Sequence, residues 1–393
     1  MALRNGCKQN RAELPGRPCR ALYVHVPFCQ AKCRYCDFYS MRIDPPAAER
    51  YARAVRAELR ARSGRLTPPL GSAFLGGGTP TCLGAGRLGE LLDLLSPWID
   101  GRTEVSVEAN PGTVDGQVAR VLSDRGVTRV NLGVQSFHDK ELRILGRVHT
   151  AGEARGAAAI LREAGIRDLG LDLIYGIPGQ TPETWRQSVA EALALRPEHL
   201  SCYALSFEPD TPLGRDLRAG RIEEMDEALQ EQCYRQAINA AGQAGLEHYE
   251  ISNFARSGHR CRHHLTYWRN EPYLGFGPGA TSYLDGVRRT HAADLDGYVR
   301  ALEAGRLPPA TQEHLTGRAA MAETVMLALR LIEGLDRPAF RRRHGPDVLD
   351  VFPRSILRHK DLGALVVTPT HLRVAAGALF VSDAILADII SEA

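Results

Sequence analysis

Tyr23-Val24-His25-Val26-Pro27-Phe28-Cys29-Gln30-Ala31-Lys32-Cys33-Arg34-Tyr35-Cys36-Asp37-Phe38 is the stretch on which the reading of this chain turns. It opens as a short β-rich run, breaks at Pro27 and delivers three cysteines spaced C-x3-C-x2-C. A four-iron cubane held by three thiolates keeps one iron without a protein ligand. That open corner can take a small chelating molecule and turn an electron-transfer cluster into a site for chemistry. The competing reading is a structural zinc site, with His25 completing a Cys3His set. Structural zinc sites usually come as two ligand pairs separated by a longer loop, and this chain has no second C-x2-C pair.

Working outward, β-rich runs alternate with helical patterns from residue 21 onward. Strands are expected at Leu22–Val26, Ala73–Leu75, Glu104–Glu108, Arg129–Val134, Asp168–Ile174 and His199–Leu205. Helices are expected between them at Ala47–Arg62, Arg87–Leu95, Gln117–Asp124, Gly152–Ala164 and Glu183–Leu195. This repeated βα order argues for a parallel sheet with helices outside, and the expected fold is α/β, a partial (β/α)6 barrel. In such barrels functional groups collect at the C-terminal ends of the strands. The cysteine loop follows the first strand, Gly76-Gly77-Gly78-Thr79-Pro80 the second, and Glu108-Ala109-Asn110-Pro111 and Gln135-Ser136-Phe137 end the third and fourth. Asp172 lies in the fifth, ahead of Tyr175-Gly176-Ile177-Pro178-Gly179.

Bulk properties narrow the class. The chain has 393 residues at 44% hydrophobic composition, enough for a large core. A formal net charge of +3 leaves no global electrostatic footprint for nucleic acid. No run approaches the roughly 18 apolar residues of a membrane span, so no transmembrane segment is expected, while peripheral membrane contact stays open. Residues 1–20 hold charges, Pro15, Gly16 and Pro18 but no apolar run. They read as a disordered tail rather than a secretory signal or an amphipathic transit peptide. Free thiols beside an air-sensitive cluster loop imply a reducing cytoplasm. The expected organisation is a tail (1–20), a barrel (21–250), an irregular His/Tyr/Gly-rich segment near the barrel mouth (251–310) and a winged-helix-like C-terminal appendage (311–393). The appendage is read as helices, then a β pair at Leu365–Val367 and Leu372–Val374, then a last helix. Pro308-Pro309 marks its expected start, and Ile222–Ala241 reads as one further helix after the barrel strands.

The C-x3-C-x2-C loop, followed by the glycine triplet, resembles the radical S-adenosylmethionine (SAM) superfamily. Tyr-Val-His-Val-Pro-Phe-Cys, Gly-Gly-Gly-Thr-Pro-Thr, Glu-Ala-Asn-Pro, Gly-Val-Gln-Ser-Phe, Leu-Gly-Arg and Leu-Asp-Leu-Ile-Tyr-Gly-Ile-Pro-Gly-Gln narrow the resemblance to one branch. That branch holds the oxygen-independent coproporphyrinogen III oxidases and the HemW-type haem chaperones. The resemblance implies a [4Fe-4S] cluster on Cys29, Cys33 and Cys36, and SAM held by Tyr23, Gly77, Gly78, Thr79, Glu108, Gln135, Arg147 and Asp172. It also implies an electron donor for the cluster. Oxidases carry another cysteine two residues past the third, where this chain has Phe38, so the HemW type is the expected one, with haem as cargo and haem-acceptor proteins as partners. The alternative is the oxidase, which decarboxylates coproporphyrinogen III, or a radical SAM enzyme on another substrate.

The run Cys261-Arg262-His263-His264-Leu265-Thr266-Tyr267-Trp268 resembles the chaperones' H-N-x-x-Y-W motif, with His264 in place of Asn. An imidazole can serve as an axial haem ligand, which makes His263 the candidate and His264 a competitor. Gly275-Phe276-Gly277-Pro278-Gly279-Ala280 lacks dinucleotide-binding spacing and reads as a loop close to the barrel mouth. Arg341-Arg342-Arg343-His344 reads as a solvated helix face. Cys7, Cys19, Cys82, Cys202, Cys233 and Cys261 have no ligand spacing and read as bystanders.

Overall fold

The computed structural model describes residues 18–392. Strands β1 (Ala21–Val26), β2 (Ser72–Gly77), β3 (Glu104–Ala109), β4 (Arg129–Gln135), β5 (Asp168–Tyr175) and β6 (His199–Ala204) pair in sequence order, every pair parallel. The crossovers run through Pro45–Arg62, Gly84–Asp93, Gly116–Asp124, Ala151–Glu163 and Pro182–Ala194. Four of the five start at side-chain caps: Asp44, Asp115, Thr150 and Thr181 each accept from backbone N–H groups of the first turn. β7 (Glu247–Glu250), β8 (Asn253–Ala255) and β9 (Leu274–Phe276) extend this sheet to nine strands in the order β9-β1-β2-β3-β4-β5-β6-β8-β7. β9 lies parallel to β1, whereas β8 and β7 add antiparallel beyond β6. The terminal strands β9 and β7 do not pair, so the barrel stays open.

Side chains alternate across each strand, and the inward set sorts by height. At the N-terminal end, buried Arg129 sits 2.8 Å from Asp168 and 3.6 Å from Glu104. Glu104 accepts from the N–H groups of Arg262 (3.1 Å) and His263 (3.2 Å), which starts the helix Arg262–Trp268 at this rim. From there His263 and His264 reach the ring of Phe74 on the inner face of β2. The C-terminal end of the same strands carries Glu108, Gln135 and Asp172.

Several regions differ from the sequence expectation. Residues 251–310, expected to be irregular, contain β8, the helix Arg262–Trp268, β9, the hairpin Thr281–Leu284/Val287–His291 and the helix Leu295–Glu303. These elements are too short to leave a periodic pattern in the sequence. Ala310–His314 pairs with Val287–His291, so a three-stranded sheet crosses the boundary expected at Pro308-Pro309. The helix expected at Ile222–Ala241 runs Glu227–Gln243, capped by Asp226. Two short helices, Asp139–Leu145 and Pro212–Arg218, were not expected. Leu365–Val367 and His371–Val374 pair as anticipated, joined by Leu335–Asp336, with Ser382–Ser391 as the last helix. The arginine run is not merely solvated: Arg343 donates to Asn270 O (2.8 Å) and Tyr283 Oη (3.0 Å), and Arg341 faces Asp347 at 3.3 Å. Of the expected tail, residues 1–17 and Cys7 lie outside the described residues. Cys19 is buried and bridges to Leu66. One apolar cluster runs without a break from Leu22 on β1 to Ile389 on the last helix.

Candidate cluster and cofactor site

The cysteine loop is pinned at its base. Phe28–Cys29 pairs with Met41–Arg42, Met41 N–H donates to Pro27 O (2.8 Å) and Ile43 N–H to Cys29 O (2.8 Å). Farther out, Arg34 N–H donates to Leu145 O (2.9 Å) and the Arg34 guanidinium pairs with Asp216. The loop closes over the end of β2. Gly77 has φ +100°, and a Cβ there would lie 2.3 Å from the His25 ring; a Cβ on Gly78 would lie 2.7 Å from Phe28 O and Val26 O. These two glycines therefore serve internal packing as well as any ligand.

Cys29, Cys33, Cys36, Gly77, Gly78, Thr79, Glu108, Gln135, Arg147 and Asp172 all line one cavity of about 500 Å³. Glu108 accepts from Gly77 N–H (3.0 Å); burial, reinforced by the charge of Asp172, pushes its carboxyl up to about 7. Burial also pushes Asp172 up to about 6, against the opposing pull of the Ser201 hydroxyl and the Arg147 charge. Gln135 reaches the cavity from a backbone with φ +68°, at a register shift in the β4–β5 pairing. Left-handed backbone at a glutamine is uncommon, and here the bulge re-aims its side chain at the cavity. Arg147 donates to Gly133 O (2.5 Å) and to Cys33 Sγ (3.4 Å), while its Nε has no partner among the described residues. Burial pushes the Cys36 thiol up to about 11.

Two expected residues are placed elsewhere. Tyr23 Oη bonds His25 Nδ1 at 3.0 Å and faces an adjoining cleft of about 310 Å³ with His25, Phe38, Tyr39, Tyr267 and Tyr273. His263 is fully buried, with Nδ1 2.9 Å from Ser72 Oγ and Nε2 2.8 Å from Tyr267 Oη. Both ring nitrogens are engaged, so this arrangement offers iron no free lone pair there. Its neighbour His264 lines the cavity instead, and burial, then the charge of Arg129, pulls it down to about 4.

Residues 23–192 match the Radical SAM superfamily and residues 315–381 the HemN C-terminal domain. "Heme chaperone HemW" of Bacillus subtilis is 33% identical over 86% of this chain and 90% of that protein. The Synechocystis protein of the same name is 37% identical over 80% of this chain and 79% of its own length. Coproporphyrinogen III oxidase (HemN) from Escherichia coli superimposes with a TM-score of 0.83 at 22% identity, covering 97% of this chain and 92% of that one. The chain belongs to the HemW/HemN-like family of radical SAM proteins.

Membership of this radical SAM family implies a [4Fe-4S] cluster and SAM, and the cavity fits both. Three thiols on one pinned loop can each take a separate iron. For SAM, the wall offers acceptors suited to hydroxyls and an ammonium: Glu108, Asp172, and the buried, unpartnered Oδ1 atoms of Asn110 and Asn131. The unpartnered Arg147 Nε is a donor suited to a carboxylate. Sequence reasoning missed Asn110, Asn131, Ser201 and Tyr203. The inward alternation Arg129-Asn131-Gly133-Gln135 was the available signal for Asn131. Among the described residues, no helix is long and apolar enough to cross a membrane.

Proposed function

We propose that this protein is a haem chaperone of the HemW type. It holds a [4Fe-4S] cluster on Cys29, Cys33 and Cys36, binds SAM in the cavity beside it, takes up haem and hands it to an acceptor protein in the cytoplasm. The observation that carries this reading is Phe38, 64% exposed on the cavity rim at the position where oxidases of the family carry a further cysteine. Similarity to proteins named haem chaperones over most of their length supports it.

When bound, the cluster and SAM supply a reductively generated adenosyl radical. The chain's own part is to hold them: Arg147 and the paired carboxylates orient SAM, and the pinned loop fixes the thiols. Of the two adjacent histidines, His264 lines the cavity and is the one proposed to meet haem iron, and His263 becomes a ligand only if its bond to Ser72 or Tyr267 breaks. The barrel (21–250) carries the cofactors in this reading, and segments 251–310 and 311–393 complete its open side. An electron donor reduces the cluster.

The test is anaerobic reconstitution followed by SAM, a strong reductant and coproporphyrinogen III, with mass detection of protoporphyrinogen. No product from a cluster-loaded protein that binds haem and releases it to an apo-haemoprotein is the expected outcome. Catalytic turnover would make the protein an oxidase.

A further inference from the structure

The cleft of about 310 Å³ beside the cluster cavity is built by four separate stretches of the chain. Tyr23 comes from β1, Phe38 and Tyr39 from the end of the cysteine loop, Tyr267 and Tyr273 from the segment after the barrel, and Leu327 from the helix Gly317–Ala328. Its wall is largely rings. Tyr267 and Tyr273 meet edge to face at 4.6 Å, and His25 and Tyr39 lie nearly parallel, 26° apart. The polar side chains among them are already engaged. His25 Nε2 donates to Tyr39 O (2.8 Å), which leaves Nδ1 to accept from Tyr23 Oη. Tyr39 Oη accepts from Leu295 N–H (2.8 Å), and Tyr267 Oη is bonded to His263. Arg288, the one cation among the described residues of the lining, pairs with Glu323. Such a wall favours a flat, apolar ligand, because rings stack on it while a buried carboxylate would meet an arginine that is already neutralised. Phe38 belongs to the walls of both the cleft and the cluster cavity, so one flat molecule can lie across it.

We propose that this cleft holds the apolar edge of haem, the side that carries vinyl and methyl groups, with the macrocycle lying across Phe38 and the iron on the cluster-cavity side. The proposal rests on the reading of the protein as a haem chaperone and deepens it by assigning which edge of the cargo enters. The propionate edge stays towards solvent, because Glu323 neutralises Arg288 and the neighbouring cavity carries the carboxyls of Glu108 and Asp172. Recognition then reads the side chains of the porphyrin. A porphyrin with propionates in place of both vinyls has no such edge, so the site takes the fully decarboxylated product and refuses its precursor.

The full-length protein, its cluster reconstituted under argon, is titrated with three ferric porphyrins and followed by Soret absorbance. These are haem, mesohaem, which has ethyl groups in place of the vinyls, and iron coproporphyrin III, which has propionates there. Haem and mesohaem should bind alike, and iron coproporphyrin III more weakly by about tenfold or more. Equal affinity for all three overturns the assignment of the apolar edge. Leu327→Trp narrows the cleft from the C-terminal side and should weaken haem by about tenfold, with iron content and SAM affinity at wild-type values. Unchanged haem affinity in a folded Leu327→Trp overturns the cleft as the haem site, and a loss of SAM affinity in its place would give the cleft to SAM. Should that variant misfold, the porphyrin comparison on the unaltered protein still decides. A wild-type protein that binds none of the three porphyrins would overturn the chaperone reading itself.

Discussion

Glu108 and Asp172 face the same cavity from β3 and β5, and the charge of Asp172 adds to the burial that raises the cost of ionising Glu108. A carboxyl that titrates near 7 when folded and near 4.5 when unfolded keeps a proton in the native state that the unfolded chain has shed. Its contribution to the stability of the ligand-free protein is therefore present below about 4.5 and lost as the pH rises through 7. SAM binding runs the other way, because ribose hydroxyls and an ammonium need the ionised acceptors. SAM affinity should fall about tenfold per pH unit below 7, and more steeply below 6 where Asp172 also protonates. Calorimetric titration between pH 5.5 and 8 measures this, and in Glu108→Gln the slope near 7 should vanish. Changing Cys29, Cys33 or Cys36 to Ala should abolish the cluster's visible absorbance after reconstitution; full iron retention in any of the three would count against the assignment. The two histidines should separate. His264→Ala should weaken haem binding in an absorbance titration with little change in stability. His263→Ala leaves Ser72 and Tyr267 without their shared partner and should cost about 2 kcal/mol in urea unfolding. A fully stable His263→Ala that loses haem would return the ligand role to His263.

At the scale of elements, the site depends on two backbone irregularities at strand ends. The bulge at Gln135 turns a side chain of β4 into the cavity, and Gly77 lets β2 pass beneath the cysteine loop. Gly77→Ala places a methyl against the His25 ring at a φ that L residues avoid. It should destabilise the protein by about 2 kcal/mol or more and, by displacing the loop, impair cluster retention. Urea unfolding of the cluster-free protein, compared with iron content after reconstitution, separates the two effects. The helix Arg262–Trp268 shows why motif reading went only part of the way. A motif names the residues, but the capping of this helix by Glu104 decides which histidine is locked and which faces the cavity.

For the whole molecule, the continuous apolar cluster and the sheet that crosses Pro308-Pro309 predict cooperative behaviour. Calorimetry of the cluster-free protein should show a single unfolding transition; two resolved transitions would mean that the C-terminal region folds by itself. The βα alternation, the crossover helices and the gathering of polar groups at one end were legible in the sequence, because each is a local pattern repeated along the chain. All of the residues assigned to the cluster and SAM from sequence except Tyr23 line the cavity, since strand ends in a parallel barrel bring them together whatever their separation along the chain. The hairpin and short strands of 251–310 were not legible, because runs of a few residues carry no periodicity and form only against partners far away in sequence. The same holds for the separate environments of His263 and His264. Composition and spacing determine which chemistry this chain can hold; which histidine nitrogen is engaged is fixed by hydrogen bonds between segments that meet only in the folded barrel.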